Sequence, residues 1–235
     1  MKYTEEIFVR ASLNVILTQP GSLVPCDFGT GCIVLYKGRS FFLSVSHVTK
    51  KGLDVYIEPN QPHDGKTSPI IPIGEILSYS YFVADEDLDA DALITAIESG
   101  GEEIDFSVAE IKEPFDLLQN DIDFQSFQVA GGNKIFPMLE DLDEPDHESQ
   151  YGFFGYINQD MNGIFLQRLP EIKAPLTYHR FDGNFYIFKA RKPIKSREEY
   201  AGLSGAPIFN YQGRLVGLAC AVRPRYEYGL WVSNV

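Results

Sequence analysis

Residues 202–218 read GLSGAPIFNYQGRLVGL, a glycine-rich turn followed by two short apolar strands and a tight hairpin. Gly202 and Gly205 lie on either side of Ser204 and permit unusual φ angles, so successive backbone N–H groups can point at one oxygen atom. An oxyanion hole requires this arrangement, and we assign its donors to Gly202 and Ser204. Pro207 then begins a strand without needing an N–H of its own. Taken alone, the pattern is also typical of an ordinary turn before a hairpin.

A second stretch, residues 29–48, reads GTGCIVLYKGRSFFLSVSHV and predicts two strands joined by a hairpin at Tyr36–Arg39. It ends in small residues and His47. At the end of a strand the imidazole ring can turn toward a cleft and act as a general base near neutral pH. By itself, His47 would more often be an ordinary half-buried histidine.

A third stretch, residues 103–111, reads EIDFSVAEI, so that Asp105 opens an otherwise apolar strand. A carboxylate buried there needs a hydrogen-bond partner, and a histidine N–H is one such partner. In isolation the segment favours a capping or loop aspartate.

The order of these three segments resembles that of the trypsin/chymotrypsin-like serine proteases, in the form of a bacterial-type intracellular member. Residues 228–234, YGLWVSN, resemble the family's last strand. The resemblance implies a catalytic triad in which Ser204 is the nucleophile, His47 the base and Asp105 the residue that orients the base. It also implies an oxyanion hole at Gly202 and Ser204.

Short strands bounded by turns are frequent along the chain, which predicts an all-β protein. With the resemblance, we expect two six-stranded antiparallel barrels of chymotrypsin type and few short helices, one of them at Leu88–Ser99. The N-terminal barrel, 1–112, would carry His47 and Asp105; residues 113–129 would form a linker; and the C-terminal barrel, 130–235, would carry Ser204. The predicted strands are Ser12–Thr18, Cys32–Tyr36, Ser40–Val45, Leu53–Ile57, Phe106–Ile111, Tyr151–Ile157, Gly163–Leu169, Phe185–Ala190, Ala206–Phe209 and Leu215–Val222.

Three positions depart from the family's pattern. Leu203 stands where the family usually has an acidic or amide residue before the nucleophile, so the zymogen switch that uses this acid is expected to be absent. Val48 replaces a cysteine and leaves Cys32 without its family disulfide partner. Cys220 replaces a serine on the strand beside the triad. None of these departures removes a catalytic group.

The resemblance also points to a substrate pocket formed by Glu198, Ala221, Val222 and Gly229. A carboxylate at Glu198 would favour Lys or Arg before the scissile bond. Val222 stands where the family often has glycine, and a branched side chain there narrows the pocket. We therefore expect a preference for a small or medium uncharged residue.

The composition excludes several function classes. A net charge of −13 argues against a general role on nucleic acid or anionic membrane. No apolar run is long enough to span a bilayer, and the opening MKYTEEIFVR does not have the pattern of a secretory signal. Cys26, Cys32 and Cys220 fit a reducing compartment better than an oxidised framework, so we expect a cytoplasmic protein.

We expect no cofactor and no metal site. His63, His147 and His179 have no Cys or His neighbours at ligand spacing. The alternating aspartates resemble a calcium loop but lack the glycine and terminal glutamate of an EF-hand; they are Asp85, Asp87, Asp89 and Asp91.

The leading hypothesis is a serine endopeptidase acting on protein or peptide substrates. The alternative is a catalytically restrained, protease-like binding module, which Leu203 and the missing disulfide favour. An esterase of another fold is less favoured because residues 205–207 lead into a strand rather than a helix. The chain ends at Val235 without the family's closing helix, which we interpret as room for further domains or a regulatory protein partner.

Overall fold

The structure is a computed structural model that describes residues 2–49, 52–60, 70–81, 102–112, 116–162, 165–182, 185–192, 194, 196–223 and 229–233. Within these ranges most residues lie in antiparallel strands, and the helices are few and short. The predicted helix Leu88–Ser99 lies outside the described residues.

The first sheet is made from the N-terminal half of the chain. Its strands are β1 (Leu13–Thr18), β2 (Pro25–Tyr36), β3 (Arg39–Ser44), β4 (Asp54–Ile57), β5 (Ile71–Pro72), β6 (Leu77–Tyr81) and β7 (Glu102–Ile111), in the order β5-β4-β1-β2-β3-β7-β6. Both edge strands belong to one segment, residues 71–81, which pairs with β4 at its start and with β7 at its end. Counted as one bent strand, this segment closes the sheet into a barrel of six strands, as predicted.

The predicted hairpin between β2 and β3 has a two-residue loop. Tyr36 pairs with Arg39, and the intervening Lys37 and Gly38 both have positive φ angles, 48° and 74°. Two consecutive positive φ angles are the signature of a type I′ turn, whose twist matches that of the flanking strands. This tight turn fixes the register of β2 and β3, and β3 then leads to His47.

The second sheet is a closed six-stranded barrel from the C-terminal half. Its strands are β12 (Gln150–Asn162), β13 (Phe165–Asp182), β14 (Phe185–Ala190), β15 (Pro207–Asn210), β16 (Leu215–Arg223) and β17 (Gly229–Ser233), in the order β12-β13-β14-β17-β16-β15. Asn210 shapes the predicted turn between β15 and β16, since its Oδ1 accepts from the N–H groups of Gln212 and Arg214 at 3.0 and 2.9 Å. The expected all-β, double-barrel fold class is therefore confirmed.

Four two-residue strands lie between the barrels, largely within the predicted linker. β8 (Leu118–Gln119) pairs with β11 (Gly132–Asn133), and β9 (Ile122–Asp123) pairs with β10 (Gln128–Val129). Two short 3₁₀ helices occur at Leu139–Asp141 and Glu198–Tyr200. The domain boundaries remain a prediction.

The N-terminal helix α1 (Lys2–Ala11) packs on the second barrel although it precedes the first barrel in sequence. Phe8 is fully buried, and its ring lies 6.4 Å from that of Phe209 and 6.0 Å from that of Tyr211. A Cβ on Gly152 would lie 2.6 Å from the Phe8 ring, so only glycine leaves room beneath the helix.

Candidate active site

His47 lies in a single helical turn, α2 (Ser46–Thr49), directly after β3. Its neighbours Ser46 and Val48 are buried, and the hydroxyl of Ser46 donates to the carbonyl oxygen of Phe106 at 2.7 Å. This bond fastens α2 to β7. With both neighbours turned inward, the His47 side chain projects outward and is 47% exposed.

Asp105 on β7 binds His47 at two points. Its Oδ2 lies 2.7 Å from the ring Nδ1, and its Oδ1 accepts from the His47 backbone N–H at 3.0 Å. Because an ionised carboxylate can only accept, this geometry favours the neutral tautomer with the proton on Nδ1, in which Nε2 is an acceptor. One carboxylate thereby sets both the orientation and the tautomer of the imidazole.

Ser204 lies in the turn that precedes β15, and its backbone is held from both barrels. Its carbonyl oxygen accepts from the N–H of Thr30 on β2 at 2.9 Å, and the next residue, Gly205, donates to Ala219 on β16 at 2.8 Å. Gly205 has φ +88°, and a Cβ there would lie 2.0 Å from the carbonyl oxygen of Thr30. Close approach to the first barrel therefore requires glycine at this position.

Cys220 on β16 links the neighbourhoods of Ser204 and Asp105. The hydroxyl of Ser204 donates to the Cys220 carbonyl oxygen at 3.5 Å, and the Cys220 thiol lies 3.8 Å from the carbonyl oxygen of Asp105. Cys220 therefore contacts both Ser204 and the Asp105 backbone, while Asp105 binds His47. Within the described part of the chain, the hydrogen bonds of Ser204 do not include one to His47; such bonds are often long before substrate binds.

The predicted oxyanion donors lie in and beside a type II β-turn, residues 200–203. Ala201 has φ −61° and ψ 128°, Gly202 has φ +91°, and the N–H of Leu203 donates to the Tyr200 carbonyl at 3.0 Å. A type II turn requires a positive φ at its third residue, which explains Gly202. Among the described residues, the N–H groups of Gly202 and Ser204 have no intramolecular acceptor. Two alternate N–H groups are therefore available to an external oxygen.

Leu203, between these two donors, is 1% exposed and belongs to the core of the second barrel. A Cβ on Gly155 of β12 would lie 2.7 Å from its Cδ2 and 2.8 Å from the hydroxyl of Thr30. The leucine thus anchors the turn by apolar packing.

The predicted pocket residues lie at two places. Glu198 is exposed in the 3₁₀ helix Glu198–Tyr200, and a hydrogen bond from Ser196 lowers the pKa of its carboxyl group. Ala221, Val222 and Gly229 lie together on β16 and β17, where Ala221 is paired with Trp231 and Val222 with Leu230. The side chain of Val222 lies outside the described residues.

From the sequence we expected no metal site. In the described ranges, no group of three or more His, Cys, Asp or Glu side chains could hold a metal ion; His63 and the aspartates at 85, 87, 89 and 91 lie outside them.

No disulfide joins Cys26, Cys32 and Cys220, and burial raises the pKa of Cys32 to about 12. None of the described helices is both long and apolar enough to cross a bilayer.

Sequence reasoning did not single out Thr30. Its hydroxyl donates to the carbonyl oxygen of Gly202 at 2.7 Å, and its own carbonyl oxygen accepts from Ser44 at 2.8 Å. The available signal was a threonine between two glycines, Gly29 and Gly31, beside the apolar run that begins at Cys32, because a buried polar side chain needs a partner.

Two antiparallel barrels, with His47 and Asp105 on the first and Ser204 on the second, form a double β-barrel of chymotrypsin type, so the fold implied by the sequence resemblance is confirmed. Among solved structures, the chain is similar to the MamO protease domain of Magnetospirillum magneticum in its apo form, to a serine endoprotease of Yersinia pestis and to the Rv3671c protease of M. tuberculosis in its active form. Each is 15% identical to this chain, with TM-scores of 0.49, 0.48 and 0.48.

These likenesses cover 100%, 98% and 99% of this chain, and 95%, 62% and 79% of the respective structures. No protein-family model and no curated protein sequence matches the chain.

Proposed function

We propose that the chain is a serine endopeptidase that cleaves peptide bonds through an acyl-enzyme. The observation that carries this proposal is the double hydrogen bond from His47 to Asp105, which leaves Nε2 ready to accept a proton. The N–H groups of Gly202 and Ser204, which have no acceptor within the described ranges, support the proposal because they can stabilise developing negative charge.

In the proposed reaction, Nε2 of His47 takes the proton of Ser204 as Oγ attacks the substrate carbonyl carbon. The π electrons move to the carbonyl oxygen, and the N–H groups of Gly202 and Ser204 stabilise the resulting oxyanion. The protonated His47 then gives its proton to the leaving amine nitrogen as the C–N bond breaks. Water attacks the acyl-enzyme by the same route and releases Ser204.

Labelling with a fluorophosphonate probe tests this proposal, because the probe reacts with an activated serine hydroxyl. We expect the probe to label the wild-type protein, whereas the Ser204→Ala variant should remain folded but unlabelled. Ser126→Ala is the matched control: Ser126 is an exposed serine whose hydroxyl donates only to the nearby Phe124 carbonyl at 3.4 Å. It should label at the wild-type rate. Equal labelling of wild type and Ser204→Ala would refute the assignment.

A second candidate function is a restrained binding module that keeps the fold without turnover. It is favoured by the hydroxyl of Ser204, which donates to the Cys220 carbonyl instead of to His47. This candidate predicts peptide binding with no labelling at any pH between 6 and 9. Labelling together with casein cleavage would exclude it.

For specificity, we propose a preference for a small or medium uncharged residue before the scissile bond. It is supported by the exposure of Glu198, which surrounds that carboxylate with water instead of a pocket wall. Profiling with a peptide library would measure which residue is preferred before the scissile bond. Dominant cleavage after Lys or Arg would show that Glu198 governs the pocket.

A further inference from the structure

Two peptide groups of the Ser204 turn are each fixed at both ends. In the peptide between Gly202 and Leu203, the oxygen accepts from the hydroxyl of Thr30 at 2.7 Å and the N–H donates to Tyr200 at 3.0 Å. In the peptide between Ser204 and Gly205, the oxygen accepts from the N–H of Thr30 at 2.9 Å and the N–H donates to Ala219 at 2.8 Å. One residue of the first barrel thus supplies a bond to each.

The peptide that carries the Ser204 N–H lies between these two fixed peptides, and the one that carries the Gly202 N–H directly precedes the first of them. Each peptide group is planar, so fixing its neighbours leaves only the intervening φ and ψ angles free. The directions of both proposed oxyanion donors therefore depend on the two bonds from Thr30.

Thr30 is itself held firmly. It is 1% exposed, and its carbonyl oxygen accepts from the hydroxyl of Ser44, which is fully buried at the end of β3. A Cβ on Gly155 would lie 2.8 Å from the Thr30 hydroxyl, so β12 gives this hydroxyl just enough room. Since β3 leads directly into α2, the same short path connects the turn with the segment that carries His47.

We propose that Thr30 is a positioning residue that aims the oxyanion donors of Gly202 and Ser204 from the opposite barrel. The inference rests on the proposed peptidase function and extends it by one residue that touches neither substrate nor the reacting atoms. The Thr30 hydroxyl acts through the Gly202 carbonyl. Removing this hydroxyl therefore weakens stabilisation of the transition state more than ground-state binding.

Thr30→Val tests this inference, because valine keeps the shape and the backbone N–H of threonine and removes only the hydroxyl. We expect kcat on a peptide substrate to fall on the order of 10- to 100-fold, in line with the loss from a misplaced catalytic group. KM should stay within about twofold, as for an interaction made only in the transition state. Thr30→Ser should restore most of the activity, because it returns the hydroxyl.

Thr18→Val is the matched control. Thr18 is likewise a fully buried threonine on a strand of the first barrel, but among the described residues its hydroxyl has no hydrogen-bond partner. This variant should keep the wild-type kcat.

Inhibitor binding separates positioning from a merely structural role. A peptide aldehyde forms a tetrahedral adduct with the nucleophile, whereas a non-cleavable peptide analogue occupies only the ground-state site. Thr30→Val should weaken binding of the aldehyde by about the same factor as it lowers kcat, and it should leave binding of the analogue unchanged. Equal weakening of both, or a wild-type kcat in Thr30→Val, would overturn the inference while the peptidase proposal stands. A wild-type protein that neither labels with fluorophosphonate nor cleaves peptides would overturn both.

Discussion

Two of the contacts between the barrels differ in chemistry, and we call them the neutral junction and the charged junction. Around Ser204 the junction is neutral, with Thr30 of β2 holding the carbonyl oxygens of Gly202 and Ser204. Away from the triad the junction is charged: Glu58, just after β4, pairs with Arg168 on β13 in two hydrogen bonds.

The charged junction continues into the segment between the barrels. The Cζ of Arg168 lies 4.0 Å from the centre of the Tyr156 ring, and Asn14 donates to Glu58 at 3.3 Å. The ammonium group of Lys134 donates to the carbonyl oxygens of Val9 and Ser12 at 3.1 and 2.5 Å, and to Gln119 at 2.6 Å.

The two junctions are expected to control different properties of the protein, namely its activity and its stability. Neutral hydrogen bonds keep their geometry over a wide pH range, which suits a turn that must aim two donors. Buried charges make stability depend on their partners and on pH. We therefore expect substitutions at the neutral junction to affect the activity of the folded protein, and substitutions at the charged junction to affect its unfolding.

The largest expected effect on unfolding is that of Arg168→Met. It leaves Glu58, whose side chain is 16% exposed, without its cationic partner, and breaking a mostly buried pair costs about 3–5 kcal/mol. Urea titration would measure the free energy of unfolding. The control is Arg39→Met, which breaks the pair with Glu110 at a site where Arg39 is 60% exposed, and it should change little.

Combining Arg168→Met with Glu58→Leu removes both charges and should recover much of the lost stability. A double variant as unstable as Arg168→Met alone would show that packing on Tyr156, and not the unpaired carboxylate, carries the effect. The folded fraction of Arg168→Met should still label with fluorophosphonate within about threefold of wild type, because the neutral junction is intact.

Gly205→Ala should break the neutral junction. The new Cβ would lie 2.0 Å from the Thr30 carbonyl oxygen at a φ of +88°, which costs about 3 kcal/mol in clash and strain together. Labelling of Ser204 should be lost even under conditions in which the protein stays folded. The control is Gly38→Ala, where φ is +74° but no atom lies within 4 Å; it should cost only about 1–2 kcal/mol. Normal labelling in folded Gly205→Ala would contradict the comparison.

The smallest effect is the pH dependence contributed by Lys134. Burial lowers the pKa of its ammonium group to about 7; Glu58 opposes this shift, whereas Arg168 and Arg10 reinforce it. Between about pH 7 and 10 the unfolded chain keeps a proton that the folded chain has lost, so the free energy of unfolding rises with pH.

Lys134→Met should remove this rise. Between pH 6.5 and 8.5, the gain in unfolding free energy should be about 2 kcal/mol larger in wild type than in the variant. Urea titrations at the two pH values would measure it. Parallel pH profiles for the two proteins would mean that Lys134 stays charged in both states.

Much of the fold could be predicted because its signals are local. The alternation of apolar strands with Gly, Pro and Asn turns located most of the longer strands, and the bounds of β14 (Phe185–Ala190) were predicted without error. The observed β2 and β13 are much longer than predicted. The segments carrying His47, Asp105 and Ser204 could be found because each is a short strand or turn of characteristic composition. Their roles as a triad remain a prediction.

The remaining features depend on contacts between distant residues. Helix α1 gave no decisive signal, because its stability comes from packing Phe8 on Phe209 and not from its own ten residues. The ribbons β8–β11 are two residues long, too short for any periodic pattern. Likewise, no local sequence pattern predicts that Thr30 donates to Gly202. Nor does one predict that Glu58 pairs with Arg168, which follows it by 110 positions.

The packing of helix α1 on the second barrel has a consequence for the order in which the protein can assemble. Because α1 precedes Gly152 and Phe209 in sequence, Phe8 can pack against them only after both have been synthesised. The docking of α1 on the second barrel therefore comes after the residues of the first barrel have been synthesised. Ser204 lies between Gly152 and Phe209 in sequence. The proposed nucleophile and the surface that covers Phe8 are therefore synthesised together.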